Sequence, residues 1–414
     1  MKIRRLLLIL QSSILLLAIG SCAGSGKLTS MNFAGIYKSN LQLKGFDYAI
    51  FNLNDSVSNL YFRFPVEKLK YMQRPGKGPL ANFRLDYQVF DGFEKGMLVD
   101  SGHRLGADSL LFSGLIEDSI SLKALSGKNY QVLIKFTDIN SQLSFERLDY
   151  LQKANMENKN DFLLTDIDNK PLLRNYINRI EQVRIRARFP QDSVLVIKRY
   201  AFPEKMAASI PYAFIATDES SDAVRLDSTS IRFIRNLSLP FNLKAEGVYL
   251  SSQKEPGVRI YRFYDGFPEI GSVDKMRESI RYISTENELI ELSQMTSKAA
   301  VDKFWVGLTG NSERALSQIK RYYSRVEDAN EFFSNTTEGW KSDRGMIYIV
   351  FGPPAVVYRN SAVEEWTYGE PGNPMSVKFY FQLNKNAIGV SDYSLIRTSE
   401  YRRPWFLAVS NWRR

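Results

Sequence analysis

Residues 338–354 read EGWKSDRGMIYIVFGPP, and the reading of this stretch decides how the last third of the chain folds. Ahead of it, from Ser312, the apolar positions Leu316, Ile319, Tyr323, Val326 and Phe333 recur at steps of three, four and seven. That spacing is one face of an amphipathic helix, and it predicts burial of Leu316, Ile319 and Val326 against the next elements of the chain. Residues 346–351 (MIYIVF) read as a strand that stops at Gly352-Pro353-Pro354, because neither proline can donate to a ladder. On this reading GWKSDRG is a structural corner between helix and strand. Gly339 and Gly345 suit the positive φ angles of a reversal, Ser342 and Asp343 cap nearby amides, Arg344 pairs with Asp343 or a carbonyl, and Trp340 seals the junction. The residues also have a chemical reading. Asp343 with Glu364 or Glu365 forms a carboxylate pair for acid and base work on a glycan, provided that both face one cleft.

After the motif come Val356-Val357-Tyr358, Glu365-Trp366-Thr367-Tyr368 and the β-rich residues 377–381. Helix, GWKSDRG, apolar run, Gly-Pro-Pro and these strands, in that order, closely resemble the bacterial family of GWxTD-domain proteins. The matching positions are Gly339, Trp340, Ser342, Asp343, Arg344, Gly345, Tyr348, Gly352, Pro353, Pro354, Trp366 and Tyr368. Ser342 stands where the family signature has threonine, keeping the hydroxyl and losing the methyl. The resemblance implies an address in the cell envelope and supplies no reaction.

Upstream, the chain is β-rich. Residues 48–51, 60–64, 83–90 and 130–136 alternate or are rich in β-branched and aromatic side chains, which predicts an antiparallel sandwich over 32–155. Within it, Leu125-Ser126-Gly127-Lys128-Asn129-Tyr130 resembles the turn and tyrosine that open a late strand of immunoglobulin-like domains. Residues 183–189 place Val183, Ile185, Ala187 and Phe189 inward and Arg184, Arg186 and Arg188 on a solvated outer face. Together with 194–197, 231–234 and 258–263 they predict a second immunoglobulin-like sandwich over 161–268. From Gly271 the period becomes helical, with Ser272 and Thr285 as caps and Glu288 completing a capping box. The expected class is therefore mainly β: two sandwiches, a helical segment over 271–335, and a small α+β hairpin domain over 336–414.

The beginning of the chain carries an address. Lys2, Arg4 and Arg5 precede a short apolar run, and Ile19-Gly20-Ser21-Cys22 looks like a lipoprotein cleavage site. The prediction is a signal peptide over 1–21, acyl chains on Cys22 and a flexible tether over 22–31. Cys22 is the only cysteine, so disulfides and thiolate metal sites are not expected. No acidic run comes after it, which favours the periplasmic side of an outer membrane over the cell surface. The formal charge of +10, less the three cations that leave with the signal, is +7. In an exported protein that surplus points to anionic headgroups, an acidic glycan or an acidic partner rather than nucleic acid.

The cationic surplus gathers in the tail, where Arg402, Arg403, Trp405, Trp412 and Arg413 are the candidates for partner contact. Alternatively, Trp405 and Trp412 pack as a final strand with the arginines solvated. Ser56, Ser109, Ser119, Ser193 and Ser228 each come directly after an aspartate, a pattern of O-glycosylation acceptors in some Gram-negative envelopes and equally of ordinary strand starts. The single histidine, His103, sits in a stretch read as a polar loop, far from the motif. No metal and no cofactor are expected. The function expected is that of a non-catalytic outer-membrane lipoprotein, a scaffold or accessory subunit of an envelope complex, with a glycan-binding or glycan-hydrolysing protein as the alternative.

Overall fold

The structure, a computed structural model, describes residues 31–38, 43–92, 96–109, 114–189, 194–201, 207–213, 224–251, 257–294, 298–370, 372–385 and 391–413. The signal peptide, Cys22, nearly all of the tether and Ser193 lie outside the described residues.

Strands β1 (Asp47–Asn52), β2 (Val57–Pro65), β3 (Met72–Arg74), β4 (Gly78–Asp91), β5 (Met97–Asp108), β6 (Leu115–Lys123), β7 (Asn129–Asp138) and β8 (Leu143–Gln152) form two antiparallel sheets. One is β1-β2-β6, and the other runs β3-β4-β7-β8 with β5 also on β4. Alternation explains how they face each other. Leu60, Phe62 and Phe64 of β2 and Phe83, Leu85, Val89, Val132, Ile134 and Phe136 of β4 and β7 are buried in one core. The stretch around His103, expected as a loop, is part of β5, which pairs with β4 from Asp108 to Met97 with one shift of register at Val99. Its glycines make room for aromatic rings, since a Cβ at Gly106 would stand 2.1 Å from the Phe83 ring. The Tyr130 hydroxyl donates to the Leu125 carbonyl at 2.9 Å across the β6–β7 corner.

The second β region comprises β9 (Phe162–Thr165), β10 (Arg184–Ala187), β11 (Val194–Ala201), β12 (Val224–Ile234), β13 (Leu237–Ser238), β14 (Gly247–Ser251) and β15 (Arg259–Arg262). Instead of two separate sheets it makes one antiparallel path, β15-β14-β11-β12-β13-β10-β9. The long β12 pairs with β11 along most of its length and with β13 at its end, and this carries the path around. Val183 and Ile185 from one end therefore share a core with Ile197, Ile231, Tyr249 and Ile260 from the other. The arginine ladder is not a uniformly solvated face. Arg186 donates to the Asn169 carbonyl at 2.9 Å, and Arg188 is buried between Asp55 and Asp161, tying the two β regions together.

Helices α1 (Val273–Ser279), α2 (Glu286–Ser293), α3 (Lys298–Thr309), α4 (Ser312–Phe333), α5 (Asp343–Phe351) and α6 (Arg402–Trp412) share one core with the sheet of β16 (Val356–Arg359), β17 (Val363–Tyr368), β18 (Val377–Lys385) and β19 (Ser391–Leu395). Ser272 caps α1, and Thr285 with Glu288 forms the expected capping box of α2. Tyr323, Val326 and Phe333 of α4 are buried as expected, together with Ala315, Tyr322 and Ala329, whereas Ile319 is half-buried and Leu316 is 54% exposed. The buried face is wider than the expected stripe, because Tyr322 beside Tyr323 meets the Trp305 and Trp412 rings, at 5.3 and 5.2 Å. Residues 346–351 are helix rather than strand, and Met346, Ile347, Tyr348, Ile349 and Val350 are all buried. A helix enclosed on every side shows no polar face, so its sequence carries no period to read.

The tail is likewise a helix. Trp405 and Trp412 of α6 belong to the same core as the motif, so neither indole is on the surface, while Arg402 and Arg403 are exposed. Arg413 pairs with Glu288 at 2.7 Å. Among the described residues no helix is long and apolar enough to cross a membrane.

Candidate functional site

The motif begins where α4 ends. Residues 339–341 form a single 3-10 turn whose backbone crosses close to the helix, and the Gly339 N–H donates to the Ser334 hydroxyl at 2.7 Å. The turn then lies against the start of α5. A Cβ at Gly345 would stand 2.0 Å from the Gly339 carbonyl oxygen, and one at Gly339 would stand 1.9 Å from the Ala329 carbonyl oxygen. Neither glycine takes the expected positive φ, and both are required instead by backbone approach.

Ser342 is the N-cap of α5. Its hydroxyl accepts from the Gly345 N–H at 3.0 Å and donates to the Gly339 carbonyl at 2.7 Å, joining turn and helix. Trp340 is buried. Its backbone N–H donates to the Asn330 side-chain oxygen at 3.2 Å, and its carbonyl accepts from the Tyr282 hydroxyl at 2.9 Å. At the other end of α5, Gly352 takes φ 89° as C-cap, and its carbonyl accepts from the Tyr368 hydroxyl at 2.7 Å. Arg325 closes that end by donating to the Ile349 and Val350 carbonyls at 2.9 and 3.3 Å. Burial, and then the charge of Arg321, bring the Arg325 guanidinium down to about 10. Pro353 and Pro354 fill the turn between α5 and β16.

The carboxylates considered as a catalytic pair have separate structural partners. Asp343, in the first turn of α5, accepts from the Leu395 N–H at 2.8 Å and from Arg397 at 2.5 and 3.2 Å, which fixes the helix to the end of β19. Glu365 is buried and pairs with Lys378 at 2.8 Å. Glu364, its neighbour along β17, is fully buried and lies at the centre of a polar cluster. It accepts from Tyr37 at 2.8 Å, from Arg359 at 2.5 Å and from the Trp366 indole at 2.6 Å, with Arg344 at 3.9 Å. Burial alone would raise the Glu364 carboxyl, but Arg359 and Arg344, with the bonds from Trp366 and Tyr37, hold it below the usual range. Burial and then the Glu364 charge push the Tyr37 hydroxyl well up, so it remains a donor.

Arg344 lies over the Phe333 and Tyr393 rings at 5.0 and 4.4 Å, and Tyr348 donates to the Tyr37 carbonyl at 3.0 Å. The cluster therefore unites motif residues Arg344, Tyr348 and Trp366 with Tyr37 and Arg359. Sequence reasoning singled out neither of the last two. Tyr37 is separated from Glu364 by 327 positions, and no local pattern links them.

Residues 247–414 match the GWxTD domain. The chain carries that domain. The match begins with β14 and takes in α1 to α4 as well as the motif, so the GWxTD domain draws on the last strands of the second β region. No curated protein matches the sequence. Among solved structures, a calcium-binding mutant of Bacteroides uniformis beta-glucuronidase 2 is similar over 30% of this chain, with 9% identity and a TM-score of 0.18. A Bacteroides uniformis beta-glucuronidase is similar over 31%, with 11% identity and a TM-score of 0.19. The chain spans 14% of each of those proteins, and likeness at this level extends to neither activity nor ligand.

The glycosylation candidates sit in different settings. Ser56 is exposed in the β1–β2 turn, where Asn54 accepts from its hydroxyl at 3.2 Å, and Ser109 is exposed just after β5. Ser119 is half-buried within β6, and Ser228 is exposed within β12 opposite Lys198.

Proposed function

We propose that this protein is a lipid-anchored, non-catalytic component of the bacterial cell envelope, a scaffold or accessory subunit of an outer-membrane complex on the periplasmic side. The observation that carries the reading is how the motif's polar side chains are used. Ser342, Asp343 and Arg344, with Glu364 and Glu365, bond to the chain's own backbone or to its own charged and aromatic groups. Groups spent in this way build a rigid platform, and rigidity suits a surface that a partner recognises. The first β region supports an immunoglobulin-like reading, because the Tyr130 bond to Leu125 has the geometry of a tyrosine corner. Such sandwiches offer edges to partners, and an acyl anchor on Cys22 raises the local concentration at the bilayer.

The test is to purify the acylated protein from its own outer membranes in mild detergent and measure composition and mass together. A protein partner in fixed stoichiometry, retained through size separation, is the expected result. The chain alone, or the chain with bound glycan, would shift the reading to a glycan-directed protein and call for a hydrolysis screen.

A further inference from the structure

Two elements far apart in the sequence meet on the surface of the GWxTD domain and present an apolar, basic face to solvent. The first is α6. Trp405 and Trp412 are buried in the core, so the opposite side of the helix looks outward. There Arg402 and Arg403 are exposed, and one turn further on Phe406 is 50% and Leu407 58% exposed. The i, i+4 spacing sets Arg402 beside Phe406 and Arg403 beside Leu407.

The second element is the segment of residues 207–213, from the connection between β11 and β12. Its Ala208 N–H donates to the Lys341 carbonyl of the motif at 2.9 Å, and its Ser209 carbonyl accepts from Arg397 at 3.2 Å. Held in this way, the segment brings the Tyr212 ring to 5.8 Å from the Phe406 ring, and Ile210 is exposed two positions earlier. The motif thus fixes both halves of the face. Lys341 holds the segment, and α5 holds the helix through the bond from the Trp412 indole to the Val350 carbonyl at 3.0 Å.

Charge and size decide what such a face fits. Arg397 pairs with Asp343 and Arg413 with Glu288, whereas among the described residues Arg402 and Arg403 have no ion pair. One carboxylate, Glu400, is exposed in the turn before α6. Two unpaired guanidinium groups against one carboxylate, in a chain of formal charge +10, match an anionic surface. Four apolar side chains offer much less than the roughly 800 Å² per partner that a stable protein interface buries. They suit a bilayer, where Phe and Leu reach the acyl boundary while the arginines stay with the phosphates.

We propose that the outward face of α6, with Ile210 and Tyr212, docks onto the anionic phospholipid surface of the envelope membrane. The proposal takes its membrane from the envelope reading above and does not depend on acylation of Cys22.

The test uses the full mature chain, residues 22–414, carrying Cys22→Ser so that no acyl chain contributes. Co-sedimentation is measured with vesicles of phosphatidylethanolamine and phosphatidylglycerol in about 0.1 M salt, where charges act within about 10 Å. Binding is expected, with little to vesicles of phosphatidylcholine alone. A basic residue at an anionic surface contributes roughly five-fold in affinity, so Arg402→Gln with Arg403→Gln should weaken binding roughly 25-fold. Phe406→Ser with Leu407→Ser should weaken it about ten-fold or more. Lys68→Gln with Lys70→Gln makes the same change of charge at exposed positions of the first β region and should leave binding within about two-fold. Absence of binding to the anionic vesicles overturns the proposal and leaves the face to an acidic protein. Unchanged binding in either α6 variant, or an equal loss in the Lys68 and Lys70 variant, overturns it as well, because the chain then adsorbs by its net charge alone. None of these results bears on the envelope reading, which the purification from native membranes tests separately.

Discussion

The Tyr37 hydroxyl donates to the Glu364 carboxylate at 2.8 Å, closing the first described residues onto a carboxylate with no exposed surface at the centre of the motif's polar cluster. Tyr37→Phe removes the donor and keeps the ring, which packs on Trp366 and Phe333 at 5.0 and 5.2 Å. A hydrogen bond to a charged group contributes about 1.5–3 kcal/mol, so urea unfolding should show a loss of about 2 kcal/mol. Arg359→Met leaves the same carboxylate short of its nearest cation and should cost more, about 3–5 kcal/mol. Unchanged stability in Tyr37→Phe would mean that Arg359 and Trp366 satisfy Glu364 by themselves.

The corner at Ser342 makes a graded prediction. Ser342→Thr installs the threonine of the GWxTD signature and keeps both hydroxyl bonds, so stability should change by less than about 0.5 kcal/mol. Ser342→Ala loses the cap and should cost about 1–2 kcal/mol. Gly345→Ala drives a methyl into the Gly339 carbonyl and should cost about 3 kcal/mol or more, with little soluble protein recovered. Thermal unfolding of the three variants side by side gives the order, and a stable Gly345→Ala would show that the turn can move away.

What was legible in the sequence was local. The caps at Ser272 and Thr285 could be read because capping is decided within four residues, and β2 and β4 because buried and wet positions alternate along them, whereas β5, with no buried position, gives no such signal. Residues 346–351 were misread because they are buried all round, and enclosure erases the period that distinguishes helix from strand. The better signal was Ser342 as an N-cap and Gly352 as a C-cap with nine residues between them. Trp405 and Trp412 pack on the core, as the alternative reading has it, but in a helix rather than a final strand. Tryptophan and arginine mark interfaces in general, but here both indoles fill the chain's own core, and Trp412 donates to the Val350 carbonyl at 3.0 Å. The Glu364 cluster was out of reach because its members come from opposite ends of the chain.

Asp343 distinguishes a structural corner from an active site. Asp343→Asn keeps the shape, removes the charge that Arg397 faces and weakens the favourable placement of an anion in the first turn of α5. The expected outcome is a stability loss of about 2–3 kcal/mol, read by chemical denaturation. A double-mutant cycle with Arg397→Gln should show a coupling of about 1 kcal/mol or more. Full stability together with loss of a measurable hydrolytic activity would reverse the structural reading of the motif.

The junction between the two β regions provides a pH test. Lys153 is 3% exposed and donates from its Nζ to the Asn54 and Ala124 carbonyls, each at 2.9 Å. Burial first, and the nearby Arg188 charge second, bring its ammonium down from 10.5 to about 8, against weaker support from Asp161 and Asp55. Because the native value lies below the unfolded one, the unfolded chain holds the extra proton between about pH 8 and 10.5. The stability contributed by Lys153 therefore rises with pH through that window and is lowest below it, where both states are charged. In Lys153→Met this rise is absent. Relative to that variant, the native protein should gain roughly 1–2 kcal/mol between pH 7.5 and pH 10, with solvent near the exposed Asp55 screening the remainder. Comparing the two chains removes the background from tyrosines that ionise in the same range. A constant difference between them would mean that the Lys153 amine already titrates near its ordinary value, and that the junction is wetter than its hydrogen bonds imply.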